Sequence, residues 1–367
     1  MPATVYTVMG AGNGGKAMAA HLALMGFDVT LYNRSGDHIE AIRKRGGIEL
    51  ESNPGGPHGF GRLTLATHVI ADALARAEVI MVVIPSSAHA ELARACAPHL
   101  RDGQILLLHP GRTGGAIEVA RTLRAAGCRA DVTVAETETF LYASRSDGPA
   151  HARIFRIKDT VPLAALPSTR TELVLEALSV AYPQYIDGIN VLHTGLNNMG
   201  AIFHPALTLL NAGWIESTGG DFQFYLDGVT PSVARVLEVI DRERVTVAAA
   251  LGLRARTAQE WLALAYNATG ETLHDAIHNQ PGYAGIKAPT TLHHRYIFEE
   301  VPMSLVPIAA LGQRYGVAVS GIDSIIRLAC IIHRTDFWRK GRTLDRLGIT
   351  ELSVSELTRF VETGTWE

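Results

Sequence analysis

Cysteine is scarce in this chain: Cys96, Cys128 and Cys330 are odd in number and far apart. That excludes a disulfide framework and leaves the thiols as core-filling groups of a reduced, cytoplasmic protein. Blocks of lysine or arginine are also missing. With 33 basic against 36 acidic residues the formal charge is −3, which gives no electrostatic footprint for displacing counterions from nucleic acid. No stretch approaches the ~18 uninterrupted apolar residues that a membrane-spanning helix requires. No basic n-region with an apolar run precedes the first strand, so no secretion signal is expected. Small molecules are the expected partners, with neither nucleic acid nor membrane, and a homodimer is an open option. Low-complexity tracts are absent too, and 47% hydrophobic against 19% charged residues describes a chain that folds throughout. At 367 residues it exceeds what one core usually supports, so two domains are expected.

The N-terminal half alternates strand-like apolar runs with helical segments. Thr4–Met9, Asp28–Tyr32, Val79–Ile84 and Gln104–Leu108 read as strands, and Gly14–Met25 as a helix. Strands separated by helices require crossover connections, hence a doubly wound, mostly parallel α/β sheet. Val132–Glu136 and Val161–Leu166 extend it, with a polar, hairpin-like excursion over Ser144–Lys158. Beyond Tyr185 strand patterns give way to long helical ones, such as Ser232–Leu251 and Val306–Tyr315. The expected division is a Rossmann domain over 1–187 and a mainly α-helical domain over 188–367, with a ligand crevice between them.

The first strand runs into Gly10-Ala11-Gly12-Asn13-Gly14-Gly15 and straight on into a helix. In this pattern Gly10 permits the tight turn, Gly12 lets the backbone approach a pyrophosphate, and Gly15 lets helix and strand pack closely. The helix N-terminus adds N–H groups and partial positive charge. The flanking strand, helix and second strand are the context that makes GxGxxG a dinucleotide motif. Where an acidic side chain would hold the ribose of NAD, this chain has Asn33-Arg34-Ser35, with no carboxylate until Asp37. Guanidinium and hydroxyl suit a 2′-phosphate, so NADP is favoured over NAD.

Four further blocks place polar groups among apolar ones: PGRTGG at 110–115, ETETFLYASR at 136–145, NNMGAIFHP at 197–205 and HRYIFEEVP at 294–302. In this order they resemble the octopine/nopaline (opine) dehydrogenase family over nearly the whole chain. The resemblance implies NAD(P)H-dependent reductive condensation of a 2-keto acid with the amine of an amino acid. It makes His204 the catalytic acid/base, a task suited to a group that titrates near neutrality. It puts Glu300 where the family carries an orienting aspartate, with the expectation that this charge raises the histidine's pKa. It also implies that Arg295 meets the cofactor's pyrophosphate and that Arg112 and Thr139 hold the keto acid. Asn198 is a candidate amide contact to substrate or cofactor.

Other readings keep the fold. Ketopantoate reductases and glycerol-3-phosphate dehydrogenases share the layout but rely on a catalytic lysine, and after residue 187 only Lys287 and Lys340 are available, neither in an Asn-rich segment. A non-catalytic NADP(H) sensor would lack an acid/base. His193, His293 and His294 show no metal-binding spacing, so no metal is expected.

The substitution at the end of the second strand is directly testable. Arg34→Ala is predicted to raise the Kd for NADPH about tenfold, since one charged hydrogen-bonded pair is worth ~1.5–3 kcal/mol. NADH binding, followed by the same fluorescence titration, should barely change; equal weakening of both would remove the argument.

Overall fold

In a computed structural model of the chain, residues 4–365 are described; residues 1–3 and 366–367, counted in the expected domains, lie outside them. By their contacts the residues form two compact units. One comprises the described residues up to Gly111, Gly115–Thr194 and the chain from Arg359 onward; the other comprises Arg112–Gly114 and Gly195–Thr358.

The first unit is built on an eight-stranded sheet. Its strands are β1 (Val5–Met9), β2 (Asp28–Tyr32), β5 (Leu65–Thr67), β6 (Val79–Val82), β7 (Ile105–Leu108), β8 (Thr133–Thr137), β11 (Val161–Leu166) and β12 (Tyr185–Asp187). The order is β12-β11-β8-β7-β6-β1-β2-β5. All pairs are parallel except β11 with β8. From β5 to β8 this is the doubly wound order, reversing between β1 and β6 beside the glycine turn. The central strands are buried on both faces: all four residues of β6 and of β7 are buried, as covered parallel strands require. The sequence patterns place β1, β2, β6, β7, β8 and β11 and miss only their ends, by one or two residues; the three-residue strands β5 and β12 have no counterpart among them.

The sequence patterns also leave out most of a second sheet. β3 (Gly47–Ser52), β4 (Gly59–Arg62), β9 (Tyr142–Gly148) and β10 (His151–Ile157) form a second, four-stranded sheet in the order β4-β3-β10-β9. The polar excursion is its β9-β10 hairpin, paired onward to β3. This sheet packs on the Asn13–Leu24 helix so closely that a Cβ at Gly61 would meet the Ala20 backbone at 2.6 Å. Met18 and Leu22 of that helix are fully buried, contributing roughly 1.5–3 kcal/mol each. Lys16 crosses to the hairpin turn and donates to Gly148 O at 2.8 Å.

The second unit is helical. Pro231–Ala250 is its longest helix, started by Thr230, whose Oγ accepts from Val233 N at 3.3 Å, with proline in the first turn where its missing N–H costs nothing. It packs with Met199–Leu210 and Ser320–His333, burying Ile202, Leu207, Leu237, Ile240, Ile322 and Ile326 completely. Among the described residues no helix is long and apolar enough to cross a membrane.

Candidate active site

In the first unit the glycine turn follows from its backbone. Gly10 has φ +117°, a conformation L side chains rarely adopt, and its N–H donates to Tyr32 O at 2.7 Å. A Cβ at Gly15 would land on the Gly10 carbonyl oxygen, so helix and strand can be this close only with glycine there. A Cβ at Gly14 would meet the Phe140 ring at 2.7 Å. Above Gly12, which precedes the first helical residue Asn13, nothing lies within 4 Å. A helix N-terminus with open space over its capping glycine fits the pyrophosphate of a dinucleotide.

Asn33 ties this loop to the end of β2: its Oδ1 accepts from Ala11 N at 3.1 Å and its Nδ2 donates to Ser35 O at 3.0 Å. Arg34 and Ser35 are exposed beside it, and the Arg34 side chain, 80% exposed, pairs with Glu91 at 2.8 Å. Thr139 receives a hydrogen bond from Lys158 Nζ at 2.7 Å; Lys158 also donates to Phe140 O at 2.8 Å. Sequence reading missed Lys158, which only the hairpin's return brings beside Thr139.

The second unit gathers Arg112, Asn198, His204 and Glu300. Asn198 caps the Met199–Leu210 helix, its Oδ1 accepting from Gly200 N at 3.1 Å. That helix carries His204, whose Nδ1 meets Glu300 Oε1 at 3.0 Å. A carboxylate only accepts, so Nδ1 carries the proton and Nε2 is the nitrogen left for exchange. The ring stacks on Tyr296, centroids 4.0 Å apart and planes 11° from parallel, and the side chain stays 19% exposed.

Glu300 is 1% exposed, and its Oε1 also pairs with Arg112 Nη1 at 2.9 Å. Arg112 Nη1 donates to Asn198 Oδ1 at 3.2 Å, Asn198 Nδ2 to Ser304 Oγ at 2.8 Å, and Ser304 Oγ to Glu300 Oε2 at 2.9 Å. These bonds close a ring. Gly200 is its floor, where a Cβ would stand 2.5 Å from Glu300 Oε1 and 2.8 Å from Arg112 Nη1. Below Glu300 the backbone takes a wide turn over Val301–Leu305, with Val306 N bonded to Val301 O; such turns recur at functional sites.

Arg112 itself has φ +61°, which costs a non-glycine residue roughly 1–3 kcal/mol and persists only where the surroundings impose it. Here Thr113 N donates to Met303 O at 3.2 Å, Thr113 Oγ to Gly195 O at 2.8 Å, and the buried Arg342 to Thr113 O at 3.3 Å. Both Arg112 and Asn198, expected at the substrate, are thus turned toward Glu300. Arg295 pairs through Nε with Glu299 at 3.3 Å and remains 59% exposed. The buried Glu299 also takes Arg112 Nε at 3.5 Å.

Glu300 does pull the pKa of His204 upward, as expected, but the net position of the ring lies below its ordinary value. Burial holds the imidazole below its ordinary value; Glu300 pulls it up, but Arg112 and Arg295 push it down again. For Glu300, burial pushes upward, but Arg112 and then His204 outweigh it and keep the carboxyl below its ordinary range. At neutral pH the resting state is therefore carboxylate beside neutral imidazole.

A Rossmann unit with an open glycine cradle, and a helical unit with a buried carboxylate–histidine pair, define an NAD(P)-dependent dehydrogenase. Comparison with known proteins narrows the class. Residues 188–333 match the family described as NAD/NADP octopine/nopaline dehydrogenase, alpha-helical domain. Residues 6–161 match the ketopantoate reductase PanE/ApbA family. The opine dehydrogenase of Arthrobacter sp. (strain 1C) is 39% identical over 97% of this chain and 98% of its own. Octopine dehydrogenase, solved with NADH and L-arginine, superposes with a TM-score of 0.81 at 20% identity, covering 99% of this chain and 98% of that one. Yersinopine dehydrogenase with NADP+ bound gives 0.72 at 15% identity, covering 98% of each chain. The chain belongs to the opine dehydrogenase family, whose members act on CH–NH bonds.

Both depressed pKa values have one consequence for stability. Each group's contribution is complete above its ordinary titration range and is lost as pH falls through the folded-state value, so acidification from neutrality weakens the fold twice. Glu300→Gln, which removes the nearer of the two carboxylates on the buried Arg112 and leaves it Glu299, should cost at most roughly 3–5 kcal/mol in urea unfolding at pH 7. The gap to wild type should narrow as pH falls through the carboxylate range. Equal stability at pH 7 would show that the pair does not hold the fold.

Proposed function

We propose that this protein condenses a 2-keto acid with the amine of an amino acid, reducing the resulting imine to a secondary amine, with NADP(H) preferred and His204 as the acid/base. The observation that carries this is the His204–Glu300 pair, which pins Nδ1 and leaves Nε2 for proton exchange in a member of a family whose named relatives make such products. The amine must lose its ammonium proton before attacking the keto carbon. His204, neutral at rest, takes it at Nε2, and the imidazolium is stabilised by Glu300. It then returns that proton to the former carbonyl oxygen; the attacking nitrogen gives up a second one, so the oxygen leaves as water as the C–O bond breaks and the C=N bond of a protonated imine forms. When bound, the reduced nicotinamide supplies the hydride that saturates the imine carbon.

Other residues take supporting parts in this proposal. The pyrophosphate would rest on Gly12–Gly15, with Asn13 and Gly14 lining its approach. Asn33 would hold the loop, and Arg34 with Ser35 would take a 2′-phosphate, displacing Glu91 from Arg34. The exposed Arg295 is proposed to meet a cofactor phosphate. Thr139 accepts from Lys158, so its own hydroxyl hydrogen is available to a keto-acid carboxylate, with the Lys158 charge beside it.

His204→Ala is expected to lower kcat about 10²–10⁴-fold with a working pair of keto acid and amino acid, while NADPH binding by fluorescence stays unchanged. Near wild-type turnover would remove His204 from the mechanism.

A further inference from the structure

We propose that Arg112 is a positioning residue that works through Glu300: by closing the ring with Asn198 and Ser304 it fixes the carboxylate that orients His204 and sets how strongly that carboxylate holds the ring's proton. This rests on the reading of His204 as the acid/base, and it takes Arg112 out of the set of residues that touch the keto acid.

Three observations carry it. First, Arg112 and His204 share one oxygen, at 2.9 and 3.0 Å from Glu300 Oε1, so the charge felt by the imidazole is already divided with a guanidinium. Second, Glu300 Oε2 is taken by Ser304, and Ser304 is held by Asn198, which also receives Arg112 Nη1. The carboxylate therefore has one orientation available, and removing any member opens the ring. Third, the chain keeps a buried arginine at φ +61°, where glycine would fit without strain, and clamps the following residue with bonds from Thr113 to Met303 and Gly195. Such a conformation is kept where the side chain has a task.

The division of charge has a chemical use. An undivided carboxylate would hold the imidazolium too firmly to return its proton to departing water; a carboxylate balanced by arginine leaves the imidazole neutral at rest yet still able to accept. The other groups facing His204 are Arg295 and His294 from the neighbouring segment, with Tyr296 against the ring face. Glu299 lies on the far side, against Arg112 and Arg295. Arg112 is the cation paired with the same oxygen as His204, at 2.9 Å, so the predicted sign is assigned to it.

The test is a pH titration of the His204 ring by nitrogen-15 NMR in the full-length protein, with kinetics alongside. Arg112→Gln should raise the midpoint by about one pH unit and Glu300→Gln should lower it, because one substitution frees the carboxylate's charge and the other removes it. Arg112→Gln should lower kcat about tenfold or more, since small misplacements of reacting groups are costly, with the keto-acid KM nearly unchanged. Midpoints that stay put or move in the same direction would overturn the proposal. So would a large rise in keto-acid KM with the midpoint unmoved, the signature of a substrate clamp. Should the variants fail to fold, the unaltered protein still decides: its neutral His204 must carry the proton on Nδ1, and the opposite tautomer contradicts the ring. The spectra read the imidazole directly, so an active His204→Ala enzyme would refute the catalytic role while leaving this test intact.

Discussion

Glu300 Oε1 is shared by a guanidinium and an imidazole, and this one oxygen sets the terms for everything around it. A carboxylate 1% exposed can stay ionised only if its charge is matched, because stripping water from a lone anion costs several kcal/mol. Arg112 supplies the match. To reach it the chain accepts a left-handed arginine, a glycine floor at Gly200 and a widened turn over Val301–Leu305. In return the histidine has a fixed tautomer and a proton affinity set by two opposing neighbours. A buried ion pair is weak evidence for net stability; here it holds the imidazole in one orientation and one tautomer.

The first unit follows a different logic, in which the backbone provides the chemistry. Gly10, Gly14 and Gly15 are glycines because Cβ atoms there would strike Val83, Phe140 or the turn itself, whereas Gly12 leaves open space where a pyrophosphate would approach. Asn33 anchors that turn from the end of β2, so the residue next to the proposed 2′-phosphate position also shapes the cradle. Changes at Asn33 are therefore expected to disturb both NADPH and NADH, unlike changes at Arg34.

Much of this was legible in the sequence, for identifiable reasons. Val79–Val82 and Val161–Leu166 are covered strands written as continuous apolar runs, and the glycine turn follows directly on the first strand. The β3 and β4 strands were not legible: GIELES and GFGR are short, half-polar and separated by a glycine- and proline-rich stretch, because one face of their sheet meets solvent. At the site, His204 and Glu300 stood out through the family resemblance. The pairing of Arg112 with Glu300 did not, since the two are far apart in the chain and PGRTGG reads equally well as a strand-end loop. Glu299 and Ser304 lie four residues from Arg295 and Glu300, a helical spacing present in the sequence, and they pair with them in the structure.

The central question for this arrangement is whether it joins two substrates. The most direct measurement is mass spectrometry of the product formed from NADPH deuterated at the transferring carbon, with a keto acid supplied alone and together with an amino acid. Label should leave the cofactor only when both substrates are present, and should appear as one deuterium on the carbon of a secondary-amine dicarboxylate. Label recovered in a 2-hydroxy acid, at a rate indifferent to the amino acid, would contradict the proposed condensation.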